Sequence, residues 1–140
     1  FMDVYSVRSF QSASQFLEEL GREINELEDL VKSINTELES IKPLLERYKK
    51  LQELLKKFSS GTTEKSAPIE ITGLQLYIDP SPITRYEILE ESYRHMVDTL
   101  SVLKKVREVV QSVVREGGLE SLRIFVQYKN GIPVKLIVLG

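Results

Sequence analysis

The chain of 140 residues contains no cysteine and a single histidine, His95. Without thiols it has no disulfide framework, no thiolate zinc site and no cysteine nucleophile, and the composition favours an intracellular setting. The seven glycines are scattered. No nucleotide-binding loop, dinucleotide fingerprint, nucleophile elbow or metal-ligand spacing can be assembled from the sequence, so no catalytic residue, cofactor or metal is expected. No run approaches the roughly 20 apolar residues that span a bilayer, and no signal-peptide succession precedes the first helix, so a cytoplasmic protein without membrane attachment is expected. Met2 reads as the native start, with Phe1 a cloning residue. Charge of one sign is also lacking. The net charge is -2 and the pI about 5.6, which gives no global attraction to phosphate backbones. Scarce asparagine and abundant Glu, Lys and Arg match the drift of thermophile proteins.

What the chain does have is an apolar seam in steps of four and three from Phe10 to Phe58. Phe10, Leu17, Ile24, Val31 and Leu38 occupy one core position of a heptad, and Ala13, Leu20, Leu27, Ile34 and Ile41 the other. Such a rhythm predicts a long coiled-coil helix with partners. Serines between Ser9 and Ser14 offer caps for its start, and at 1.5 Å per residue it would extend on the order of 75 Å. Gly21 falls beside the seam. Pro43, on the outward side, removes the bond to the carbonyl of Glu39 and predicts a kink. The seam changes register there, to Leu44, Tyr48, Leu51, Leu55 and Phe58, as a stammer would. The wide stripe that includes Phe16, Leu30, Leu44 and Leu51 suits a two-stranded coil or a bundle of three or four helices.

Residues 59–68, SSGTTEKSAP, read as a linker. Ile69 and Ile71, then Leu74, Leu76 and Ile78, alternate on two parities, which predicts one strand with a bulge at Gly73. Thr84 and Glu87 have capping-box spacing with Ile83 and Ile88 as a staple, and Ser81 with Pro82 offers an alternative helix start. The stripe from Leu89 to Val113, widened by Val97, Val102, Val109 and Val114, carries a second helix to Gly117 and Gly118 and predicts burial along more than one line. Leu122–Tyr128, Asn130-Gly131 and Val134–Val138 make a hairpin. Because Ile137 and Leu139 leave its last strand apolar on both faces, that strand is expected to be central or covered. The fold class is thus α+β, a helical arm over 1–58, kinked near Pro43, and a β-α-β-β head over 69–140, with a right-handed crossover beneath a three-stranded sheet.

Charge divides along the first helix. Leu17–Ile41 holds eight acidic and two basic residues, and Lys42–Phe58 two acidic and six basic. The helix dipole favours part of this arrangement. Antiparallel packing of two copies would set opposite charges together, so a homo-oligomer through the first helix, antiparallel, is expected, with Phe10, Leu17, Leu20, Ile24, Leu27, Val31, Ile34, Leu38 and Ile41 as its interface. The second helix is too short to cover that seam. Apolar surface from Phe10 to Leu27 should therefore stay exposed in a monomer and mark the interface.

The densest basic cluster, Arg47, Lys49, Lys50, Lys56 and Lys57, is the candidate contact for a polyanion. Its interleaved Tyr48 and Phe58 lie on the seam and are expected to be buried, so nucleic-acid binding is disfavoured. His95, beside Tyr93, Met96 and Asp98, reads as a packed or surface residue, and adjacent Glu90 and Glu91 point apart on a helix and make no acid-base pair. The function expected is therefore a non-enzymatic, homo-oligomeric coiled-coil scaffold or adaptor with a protein partner. Long helices joined through a small sheet also resemble, in architecture, the prefoldin chaperone subunits, whose antiparallel coil emerges from a strand platform. Those chains finish on their second long helix, whereas this one continues from Leu122 to Leu139; the resemblance carries no site residues and implies a holdase alternative.

Overall fold

The computed structural model describes residues 2–58 and 67–140; most of the expected linker, 59–66, lies outside them. The elements are β1 (Tyr5–Phe10), α1 (Ala13–Phe58), β2 (Ile69–Ile71), β3 (Leu74–Leu76), α2 (Pro82–Gly117), β4 (Arg123–Lys129) and β5 (Ile132–Leu139). The fold is α+β, with two long helices and a three-stranded antiparallel sheet of order β1-β4-β5. By mutual contact the chain divides into two compact units, Phe1–Leu30 with Met96–Gly140, and Val31–His95.

In the first unit, the sheet is assembled from both ends of the sequence. Tyr5 pairs with Lys129 and Phe10 with Ile124, so the opening residues form a strand of the sheet and are not part of the expected helical arm over 1–58. Asn130 anchors that strand: its amide N–H donates to the Val4 carbonyl at 2.7 Å, and its Oδ1 accepts from the Val4 amide at 2.9 Å. Asn130 and Gly131 both have positive φ, 51° and 81°, as the two-residue hairpin requires. Ser12 caps α1 by accepting from the Gln15 amide at 3.1 Å. The next donors, Ala13 and Ser14, reach the carbonyls of Leu122 at 2.9 Å and Glu120 at 3.1 Å, which ties the helix start to the loop before β4.

The core of this unit joins Phe10, Phe16, Leu20 and Ile24 to Leu103, Val110 and Val114 of α2 and to Ile124, Val126 and Tyr128 of β4. Phe10 and Phe16 meet edge to face, 5.3 Å between ring centres. Arg8 lies over the Phe10 and Tyr128 rings and pairs with Glu23 at 3.1 Å and, more loosely, Glu19 at 3.8 Å. α2 ends in a left-handed Gly118, φ 62°, with the Leu119 amide donating to the Val114 carbonyl at 2.9 Å, as in a Schellman stop.

In the second unit, α1 continues through Pro43 as helix. Thr72 and Gly73, φ 48° and 84°, form a turn rather than a bulge, and β2 and β3 pair as their own hairpin, Ile69 with Leu76 and Ile71 with Leu74. The expected crossover sheet is corrected accordingly: β1 supplies the third strand beside β4 and β5. Ser81, not Thr84, caps α2. Its Oγ accepts from the Thr84 amide at 3.3 Å, Pro82 takes the first helical position, and Thr84 is buried in the first turn.

Candidate functional site

The nine seam residues proposed as an oligomer interface are used largely within the chain. Phe10, Leu20 and Ile24 are buried in the core of the first unit, with Ile24 at 0% exposure, and Leu17 and Leu27 pack half-buried against it. In the second unit Leu38 and Ile41 are buried and Val31 and Ile34 half-buried. The expectation that Phe10 to Leu27 remains exposed in a monomer is therefore corrected. The physical reason is the sheet: β4, together with α2, covers the half of the seam that a second helix alone would leave open.

On α2 apolar surface remains open on the side adjacent to the core, about 100° around the helix from the core-facing line. Leu103, Val110 and Val114 turn into the core, whereas Val102, Val109 and Val113 are exposed. Of the valines that widen the stripe only Val114 is buried; Val97, Val102 and Val109 are exposed, as is Val113 of the main stripe. β5, expected to be central or covered, is an edge strand, and Val134, Ile137 and Val138 on it are exposed.

Between α2 and β5 run two adjoining hollows of about 360 and 260 Å³. They share Val109, Val110 and Leu136 and are floored by aliphatic side chains, with Lys105 the one charged residue in their lining. Along the outer rim of the valines lie Glu108, Gln111, Ser112 and Arg115. The start of the β5 edge is guarded: Pro133 has no N–H, Lys135 follows it, and the pairing with β4 slips at Gln127/Tyr128. Chemically the groove can bury apolar surface and select charge at its rim. It brings together no acid-base pair and no nucleophile with a base.

The second unit has a different apolar exposure. The pairing of β2 with β3 places Ile69, Ile71, Leu74 and Leu76 on one face of the hairpin, and all four are exposed. At the end of α1, Leu51, Leu54 and Leu55 are exposed and Phe58 is 82% exposed, contrary to the expected burial of Phe58; Tyr48 is half-buried. Arg47, Lys49, Lys50, Lys56 and Lys57 are all exposed. Lys49 with Lys56, and Lys50 with Lys57, form two lines about 100° apart around the helix, so the five cations do not converge on one stripe.

His95 is exposed, and Glu90 pairs with Arg94 at 3.2 Å. Among the described residues no group of three or more His, Cys, Asp or Glu could hold a metal ion, and no helix is long and apolar enough to cross a membrane. Sequence reasoning missed Val109, Val113, Val134 and Val138 as surface residues. The available signal was a surplus: α2 and β5 carry more apolar side chains than one helix-facing stripe and one sheet face can bury. No family model, curated protein or solved structure matches the chain.

Proposed function

We propose that the protein is a non-enzymatic scaffold or adaptor that works as a homo-oligomer in the cytoplasm. The observation that carries this reading is the aliphatic groove between α2 and β5, which lies open beside a strand edge. More large apolar side chains are exposed than buried among the described residues; extended apolar surface of this kind is normally covered by another protein surface. The assembly role moves away from the Phe10–Leu27 part of the α1 seam, because the chain's own sheet and α2 already cover it in the first unit. Light scattering coupled to gel filtration at micromolar concentration tests the reading. A mass at least twice the 16.1 kDa of the chain is expected, and a 16 kDa species would overturn self-association.

A second reading, a holdase-like chaperone, is favoured by the exposed aliphatic face of the β2–β3 hairpin. Two-stranded hairpins are marginal in water unless something packs on them, and a transient client is one such cover. Stoichiometric suppression of aggregation of a heat-denatured client would support it, and aggregation at the uninhibited rate would rule it out.

A further inference from the structure

Resting on the reading that the chain self-associates, we infer that the groove between α2 and β5 is filled by a second copy related by a two-fold axis, with α2 of the two copies running antiparallel. The argument starts from the outer face of α2, where Lys105, Val109, Ser112 and Glu116 follow at steps of four, three and four, and Glu108 and Arg115 lie seven apart beside them. Residues so spaced share one side of a helix. All six except Ser112, which is half-buried, are exposed. None of the four charged side chains takes part in an ion pair among the described residues.

The order of charge along this face is positive, negative, positive, negative: Lys105, Glu108, Arg115, Glu116. Reversing the helix about Gln111 sets Val109 against the partner's Val113, and brings Glu108 to within one residue of the partner's Arg115 and Lys105 to within one residue of the partner's Glu116, each contact occurring twice. A parallel arrangement would set like charge beside like. Antisymmetry under reversal is what an isologous interface requires, since one patch must be complementary to itself. A foreign partner would impose no such relation between the two ends of one face.

The apolar side fits the same operation. Val102, Val109 and Val113 stand exposed above Val134 and Leu136, so an incoming α2 lays its valines over the hollows and its charges on the rim. The interface then has an aliphatic centre and a polar border. The guarded start of β5 leaves the helices, not the strand edges, to lead the contact.

Charge reversal tests the pairing in a way that simple truncation cannot. Glu108→Arg and Arg115→Glu are exposed changes whose fold is checked by circular dichroism. Each alone puts like charges together twice and should weaken association at least about tenfold in Kd. The double variant, and an equimolar mixture of the two single variants, should restore it, because the mixed pair regains both opposite-charge contacts. As the native chain has no cysteine, a Ser112→Cys variant reports proximity to the axis directly, and mild oxidation should give a disulfide-linked dimer. Sedimentation equilibrium reads all of these. A wild-type monomer would overturn self-association itself. A wild-type oligomer unaffected by either single reversal, or not restored by mixing, would leave self-association standing and overturn this interface.

Discussion

Tyr128 shows how one residue links strand pairing, burial and charge. It sits at the end of the alternating buried positions of β4, and burial pushes its phenol above the usual tyrosine range, with the Arg8 guanidinium acting in the opposite direction. Burial disfavours the phenolate, so the folded state holds the proton more tightly than the unfolded chain does. The associated stability is fully present below the unfolded value, about 10, and is lost as pH rises through the higher folded value. Urea midpoints measured from pH 8 to pH 12 should fall on the alkaline side, and Tyr128→Phe should flatten that fall. Identical alkaline slopes in both proteins would count against it. The burial itself was partly legible, since Ile124, Val126 and Tyr128 alternate with polar residues. The cation was not: Arg8 meets Tyr128 only because β1 pairs with β4 across more than a hundred residues of sequence.

Elements bounded by local signals were the most readable. Ser81 and Pro82 begin α2, Gly118 ends it and Asn130-Gly131 turns the last hairpin, each through backbone chemistry confined to a few neighbours. At φ 62° an alanine in place of Gly118 costs about 1–2 kcal/mol, and a Cβ there would meet no neighbouring atom. Gly118→Ala should therefore lower the unfolding free energy by that amount through the backbone alone, as read by chemical denaturation. A neutral result would mean that the helix stop tolerates a β-carbon. At Gly73 the sequence was ambiguous, because a bulge and a turn both shift the alternation by one. Pairing of Ile71 with Leu74 decides for the turn. β1 escaped notice for a related reason: its apolar residues are separated by Ser and Arg, and its partner strand lies at the other end of the chain.

On the scale of the whole molecule, the two units differ in what they bury. The first holds a core drawn from α1, α2 and all three strands of its sheet or their flanks. In the second, the buried side chains among the described residues are Leu38, Ile41 and Thr84, and every residue of β2 and β3 is exposed. Regions with few buried apolar contacts open at lower free energy. Amide exchange should accordingly be slowest in β4 and faster by orders of magnitude in the β2–β3 hairpin. Equal protection in the two would show that the hairpin face is covered in solution.

The sequence by itself determined two long helices, the glycine stop of the second, the Asn130-Gly131 hairpin and the α+β class, because each depends on periodicity or on turn chemistry within a few residues. It also determined that apolar surface is in excess. Only the tertiary structure decided where the excess is hidden and where it is left open. The heptad seam and the valine stripe are equally apolar as strings. β1, carried to β4 from the far end of the chain, completes a sheet whose core-facing side closes over the Phe10–Leu27 part of the seam, while β5, left at the edge, leaves Val102, Val109 and Val113 uncovered. That choice depends on strand order, which periodicity along one segment does not encode.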